Sequence, residues 1–134
     1  MSVTAKTKVL AVIGDPVSHS LSPVMHNGWI ADHGLDAVYI ALPLKSADAA
    51  AAIRAMKGLG FAGLNVTVPH KEAAFRRADV KDASAVAVGA ANTLWLADGK
   101  LHCANTDTYG YMAYLEKCAP DWKRDHRPVS ILGA

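Results

Sequence analysis

Lys71 is the residue of this chain that packing explains least. It follows Pro69, which opens a predicted helix, and so falls in that helix's first turn. There the macrodipole disfavours a cation by about 0.3–1 kcal/mol. A local rule broken without structural gain points to function, and the gain here would be a cation held beside an anionic or carbonyl ligand. Six other polar residues fall in comparable places. Ser20 and Ser22 follow the first predicted strand, Asn65 and Thr67 belong to the third, Asn92 stands at a strand start after a loop, and Asp107 begins a helix. In open parallel sheets, ligands bind where strands end and helices begin. Each position also has a plain structural use. Ser22 suits an N-cap, Ser20 a turn hydroxyl, and Asp107 a first-turn acid. Asn65 and Thr67 alternate with Leu64, Val66 and Val68 as in a half-exposed strand.

Spacing argues against a metal. His26 and His33 share one side of a predicted helix but lie about 10.5 Å apart along its axis at 1.5 Å per residue, and zinc–nitrogen bonds are only about 2.0–2.1 Å. His19 and His70 adjoin the polar clusters, where ordinary hydrogen bonding accounts for them. Cys103 and Cys118 lack C-x-x-C spacing, so neither a disulfide framework nor a zinc site is expected.

The elements that must position these residues can be read from apolar periodicity and turn chemistry. Lys8–Gly14 predicts a strand buried on both faces. A helix then starts with Ser22 as N-cap and Pro23 in its first turn, carries Val24, Met25, Gly28 and Trp29 at helical spacing, and stops at Gly34. Residues 38–43 form a second strand. Ser46 caps an alanine-rich helix with Ala49, Ile53, Met56 and Leu59 as its buried stripe, ended by Gly58 or Gly60. Residues 63–68 form a third strand, and Pro69 opens a short helix with Ala73, Ala74 and Phe75 on its apolar side. Residues 82–88 read as a further helical turn or two. Strands at 93–97 and 101–104 are joined by Asp98-Gly99, a strong hairpin signal. A helix runs from Asp107 to about Lys117, with Met112, Leu115 and Cys118 spaced for burial, and residues 120–128 read as a linker before a new strand at 129–134. The alternation predicts an α/β fold: a mostly parallel sheet, flanking helices and one antiparallel hairpin.

Composition sets the outer bounds. The 134 residues are enough for one ordinary domain and too few for two full-sized ones. A net charge of +2, with signs interspersed, supplies no basic stripe for nucleic acid. No run approaches the roughly 18–20 apolar residues of a membrane span, and residues 9–13 are too short for a signal-peptide core. The expected compartment is the cytoplasm.

The clusters occur in a recognisable order. Gly14-Asp-Pro-Val-Ser-His-Ser-Leu-Ser-Pro23, Gly63-Leu-Asn-Val-Thr-Val-Pro-His-Lys71, Gly89-Ala-Ala-Asn-Thr93 and Asn105-Thr-Asp-Thr-Tyr-Gly110 together resemble the N-terminal half of shikimate dehydrogenases. The resemblance covers essentially the whole chain. It implies that Ser20 and Ser22 bind the substrate carboxylate, that Asn65 and Thr67 hold the ring hydroxyls or the carboxylate end, and that Asn92 binds a hydroxyl. It implies further that Lys71 and Asp107 are the catalytic pair and also contact substrate. The implied reaction is the reversible, NADPH-dependent reduction of 3-dehydroshikimate to shikimate, in the chorismate route to aromatic amino acids. Residues 1–106 would be the shikimate-binding catalytic domain, 107–128 a connecting helix and linker, and 129–134 the first strand of a truncated Rossmann domain for NADP. Gly133 and Ala134 would then begin its glycine-rich loop. Alone, the chain is expected to be inactive. The resemblance leaves open a quinate/shikimate dehydrogenase using NAD, a redox-inactive shikimate-binding module, and a homodimer of the full-length enzyme.

Overall fold

The structure of the chain, a computed structural model, describes residues 3–124 and Ser130. Its element order is β1 (Lys8–Gly14), α1 (Ser22–Asp32), β2 (Ala37–Pro43), α2 (Ser46–Ala55), β3 (Phe61–Val66), α3 (Lys71–Arg77), β4 (Val80–Lys81), α4 (Ala83–Val88), β5 (Thr93–Ala97), β6 (Lys100–Ala104) and α5 (Asp107–Cys118). The strands form one sheet in the order β2-β1-β3-β5-β6-β4. β1 runs parallel to β2 and β3, β5 is antiparallel to β3 and to β6, and β4 is parallel to β6. Five strands therefore share one direction, and β5 alone is reversed. The start of β5 lies at the same end of the sheet as the carboxyl ends of the others. That end collects the loops after β1, β3 and β6 together with the segment before β5.

Side-chain alternation divides the core in two. Ala11 and Ile13 of β1 face a cluster with Ile53 and Met56 of α2, Ala74 of α3, Ala85 of α4, and Leu64, Val66, Leu94 and Cys103 of the sheet. Val12 faces the other way, toward Val17, Ile30 of α1, Ala37 and Tyr39. A strand covered on both faces is what an unbroken apolar run demands. The helix ends obey local rules: Arg54, Arg76 and Arg77 sit in the last turns of α2 and α3, where the macrodipole favours cations. Asp98 (φ 50°) and Gly99 (φ 71°) make the left-handed pair that turns β5 into β6.

Several expectations need correction. Ser22 is not the N-cap of α1: Leu21 already has helical dihedrals, and the Ser22 N–H donates to Ser20 Oγ at 3.2 Å. The turn hydroxyl of Ser20 starts the helix one residue early and leaves the Ser22 side chain uncommitted to capping. Ser46 likewise lies inside α2 rather than capping it, and Leu59, beyond the end of that helix, is exposed. Val68 lies beyond β3 and is exposed. On α1 the face turned inward is His26, Asn27 and Ile30, so Val24, Met25 and Trp29 point to solvent. On α5, Met112 and Leu115 are half-buried and Cys118 is exposed. The two-residue β4 carries no apolar pattern and was not foreseen. The strand expected at 129–134, with Gly133 and Ala134, lies outside the described residues apart from Ser130.

Gly14 ends β1 against the loop after β3. A Cβ there would fall 2.3 Å from Thr67 Cγ2 and 3.2 Å from the Val68 carbonyl oxygen, whereas one on Gly28, inside α1, would meet nothing within 4 Å. Gly14→Ala should therefore cost about 1–3 kcal/mol through overpacking. Gly28→Ala should gain about 0.5–1 kcal/mol by removing a helical glycine. Urea unfolding followed by far-UV circular dichroism measures both, and shifts of the same sign in the two variants would refute the packing argument.

Candidate active site

The described residues converge at the loop-bearing end of the sheet. Lys71, the first residue of α3, donates to Asp107 Oδ2 at 2.7 Å across a sequence separation of 36. Asp107 opens α5, so the two side chains meet because β3 and β6 deliver their following helices to the same end. The backbone reinforces the meeting: the Ala91 N–H donates to the Lys71 carbonyl at 2.9 Å, tying α3 to the segment before β5.

Asn92 is the hub between them. It is 9% exposed. Its Nδ2 donates to Asp107 Oδ1 and Thr106 Oγ1, both at 2.8 Å, and its Oδ1 accepts from Thr106 N at 3.1 Å and Thr93 Oγ1 at 2.9 Å. With both amide hydrogens spent on acceptors, the amide's orientation is set by its partners. Asn105, also buried, does similar work. Its Oδ1 accepts from the Asp107 N–H at 2.9 Å, its Nδ2 donates to the Ala90 carbonyl, and its N–H donates to Ser84 Oγ. Ser84 in turn donates to the Asp82 carboxylate that caps α4, a pair of bonds that holds Asp82 below the usual carboxylate range.

The remaining expected residues lie in two hollows. Ser20, Ser22 and Thr67 line a groove of about 330 Å³ with Asp15, Val17 and His19. Asn65 and Thr93 line a smaller one, about 170 Å³, over the sheet face that also bears Tyr39 and Trp95. Asn65 connects the smaller hollow to the hub, its Nδ2 donating to the Asn92 carbonyl at 3.3 Å. His19 borders the site, but His70 does not: it is buried, with Nε2 donating to the Leu44 carbonyl at 2.6 Å. Among the described residues no three His, Cys, Asp or Glu side chains gather as a metal group. No helix among them is long and apolar enough to cross a membrane.

Sequence reasoning missed Tyr39, Asn105 and Thr106. Tyr39 sits within an apolar strand and is 3% exposed, the pattern of a core residue. Its hydroxyl nevertheless donates to Asn65 Oδ1 at 2.7 Å. Burial pushes the Tyr39 phenol up to about 12, against a smaller opposing effect from the Ser22 side chain. Asn105 lies in the Asn-Thr-Asp stretch singled out from the sequence, whose run of polar residues was the available signal.

The sequence and the fold both have known relatives. The family described as shikimate dehydrogenase substrate binding domain matches residues 12–94. A shikimate dehydrogenase (NADP(+)) of Mesorhizobium japonicum is 47% identical over 128 residues, covering 96% of this chain and 45% of that protein. The solved shikimate dehydrogenase of Aquifex aeolicus superposes with a TM-score of 0.84 at 39% identity, over 89% of this chain and 45% of that one. The Thermus thermophilus enzyme in complex with shikimate gives 0.76 at 34% identity, over 83% of this chain and 42% of that one. The chain thus spans about half the length of the curated relatives it matches.

The Tyr39 phenol gives a pH signature. In the folded protein it stays neutral until about pH 12, whereas an unfolded tyrosine ionises near 10. Its contribution to stability is whole below pH of about 10 and is lost as pH rises toward the folded value. An alkaline titration of tyrosinate absorbance should show a late step near pH 12 that Tyr39→Phe abolishes. A variant with the late step intact would show that the step belongs elsewhere.

Proposed function

This chain belongs to the family of shikimate dehydrogenase substrate-binding domains, and we propose that it supplies the substrate site and proton-transfer pair of an enzyme that interconverts 3-dehydroshikimate and shikimate. The observation that carries this reading is the Lys71–Asp107 contact at 2.7 Å with Asn92 on the other carboxylate oxygen. The pair is half-open to solvent, with side-chain exposures of 31% and 50%. Ion pairs of that kind contribute only about 0–1 kcal/mol to stability, so their use is chemical.

Shikimate is small, anionic and rich in hydroxyls, and needs directed hydrogen bonds more than apolar surface. Ser20 and Ser22 take its carboxylate. Ser20 can accept the Ser22 N–H and still donate its own proton. Asn65 and Thr67 hold the ring hydroxyls or the carboxylate end, and Asn92 and Asp107 bind hydroxyls by exchanging one of their present partners for substrate. When the ketone is reduced, negative charge builds on its oxygen. The Lys71 ammonium has N–H groups beyond the one given to Asp107, and it stabilises that charge and passes a proton to the oxygen. In the reverse direction the neutral amine takes the proton back. Asp107 keeps the lysine aimed through the whole cycle.

NADP supplies or accepts the hydride in this reading. The described residues do not fit it. The turn after β1 is Gly14-Asp15-Pro16, whose proline has no N–H to donate and whose acid opposes a phosphate. NADP binding is therefore assigned to the part of the full-length enzyme that follows, beginning with Gly133 and Ala134 in the scheme of domains at 1–106, 107–128 and 129–134. The same reading carries a cytoplasmic location and a role in aromatic amino-acid synthesis.

In the full-length enzyme, Lys71→Met keeps the stem and deletes the charge. It should lower kcat by about 10²–10⁴, the usual share of a general acid–base group, with KM much less affected. Ser20→Ala and Ser22→Ala should each raise KM about tenfold or more, in line with about 1.5–3 kcal/mol for a charge-assisted hydrogen bond. Because Ser22 does not cap α1, its variant should melt at the wild-type temperature. Steady-state kinetics and differential scanning calorimetry measure these, and a Lys71→Met enzyme keeping more than half of wild-type kcat would overturn the assignment.

A further inference from the structure

Tyr39 is held from three sides. β2 is an edge strand, and the outward N–H and C=O of Tyr39 are taken by the Asn27 side chain of α1, at 2.9 and 2.8 Å. Its ring stacks on His26 with centroids 4.1 Å apart and planes 12° from parallel. The His26 Nδ1 donates to the Ser22 carbonyl at 2.9 Å, since a carbonyl can only accept. The whole side chain is buried, so the hydroxyl has one place to point, and there it meets Asn65 Oδ1 at 2.7 Å.

The Asn65 amide could in principle lie either way round. The Asn92 carbonyl 3.3 Å from its nitrogen excludes the flipped form, which would set two acceptors against each other. The Tyr39 hydroxyl must then be the donor. The result is a continuous polar path: Tyr39, Asn65, the Asn92 carbonyl, and through the Asn92 amide to Asp107 and Lys71.

We propose that Tyr39 is a positioning residue for substrate recognition, fixing the Asn65 amide with its nitrogen toward the Asn92 carbonyl and tying the Asn65 hollow on β3 to α1 through the His26 stack and the Asn27 bonds. The proposal rests on the shikimate reading above and adds to it a residue that acts through Asn65. Tyr39 holds Asn65 from behind, as a partner whose loss lets the amide rotate and pair with water.

The test is a double-mutant cycle in the full-length enzyme, with shikimate as the varied substrate. Tyr39→Phe keeps the ring, the His26 stack and the backbone bonds to Asn27, and should melt close to wild type. It should raise the KM for shikimate about fivefold, the size expected of one neutral hydrogen bond, and leave kcat within about twofold. In an Asn65→Ala background the same change should have no further effect on KM, because two residues acting as one unit are not additive. A Tyr39→Phe enzyme with unchanged KM, or one whose effect persists undiminished without the Asn65 amide, would overturn the proposal. So would a fall in kcat and melting temperature together in both backgrounds, the mark of a merely structural role. A wild-type enzyme that does not oxidise shikimate at all would instead refute the underlying reading, so the two failures are told apart.

Discussion

The contact between Lys71 and Asp107 imposes a topological condition on everything around it. Each residue opens a helix, and the helices follow different strands, β3 and β6. The two helix starts can meet only if those strands point the same way, and β5, hydrogen-bonded between them, must then run opposite to both. The tight Asp98-Gly99 turn reverses the chain with two left-handed residues, the geometry that matches the twist of paired strands. The antiparallel hairpin in an otherwise parallel sheet is thus the device that delivers the aspartate. It also brings Asn92, which precedes the reversed strand, to the carboxyl ends of its neighbours rather than to the far side of the sheet.

The two charges stand in opposite relation to the helices they open. The N-terminus of α5 stabilises the Asp107 carboxylate, and the N-terminus of α3 works against the Lys71 ammonium. Reversing the residues would only move the unfavourable cation from the start of α3 to the start of α5, and would leave the Asn92 amide donating toward a cation instead of a carboxylate. The α3 helix has only 7 residues and carries Glu72 in its first turn, which limits the penalty on the lysine. What the ammonium loses at the helix end, Asp107 restores at 2.7 Å. The neutral amide of Asn92 holds that carboxylate and that of Asn105 holds the Asp107 backbone N–H, neither adding charge of either sign.

How far such a site can be read from sequence depends on whether its residues break a local rule. Lys71 breaks one, and Asn65 and Thr67 interrupt an apolar strand, so all three stand out. Five of the strands announce themselves through β-branched runs and turn residues, and the hairpin through Asp98-Gly99. Tyr39 breaks nothing: a tyrosine in an apolar strand reads as core, and only the position of its hydroxyl shows otherwise. The apolar residues of α1 and α5 misled for the opposite reason. Val24, Met25 and Trp29 recur at helical spacing, yet the inward face of α1 is built from His26, Asn27 and Ile30. Periodicity gives a stripe but not its direction, and here polar groups take the inner face because the backbone of an edge strand needs partners there.

That inversion on α1 has a physical rationale in the site itself. An edge strand presents unpaired N–H and C=O groups that must be satisfied or left to water. An apolar helix face laid over β2 would have buried the Tyr39 backbone groups without partners, at a cost of about 1–3 kcal/mol each. Asn27 meets both at once with a single amide, and His26 one residue earlier stacks on the Tyr39 ring while bonding the Ser22 carbonyl. The residues that close the sheet edge are therefore the same residues that set the helix bearing Ser22 against the strand bearing Tyr39. Stability at the edge and geometry in the groove are met by one set of contacts, so the inner face of α1 cannot be made more hydrophobic without loosening the site.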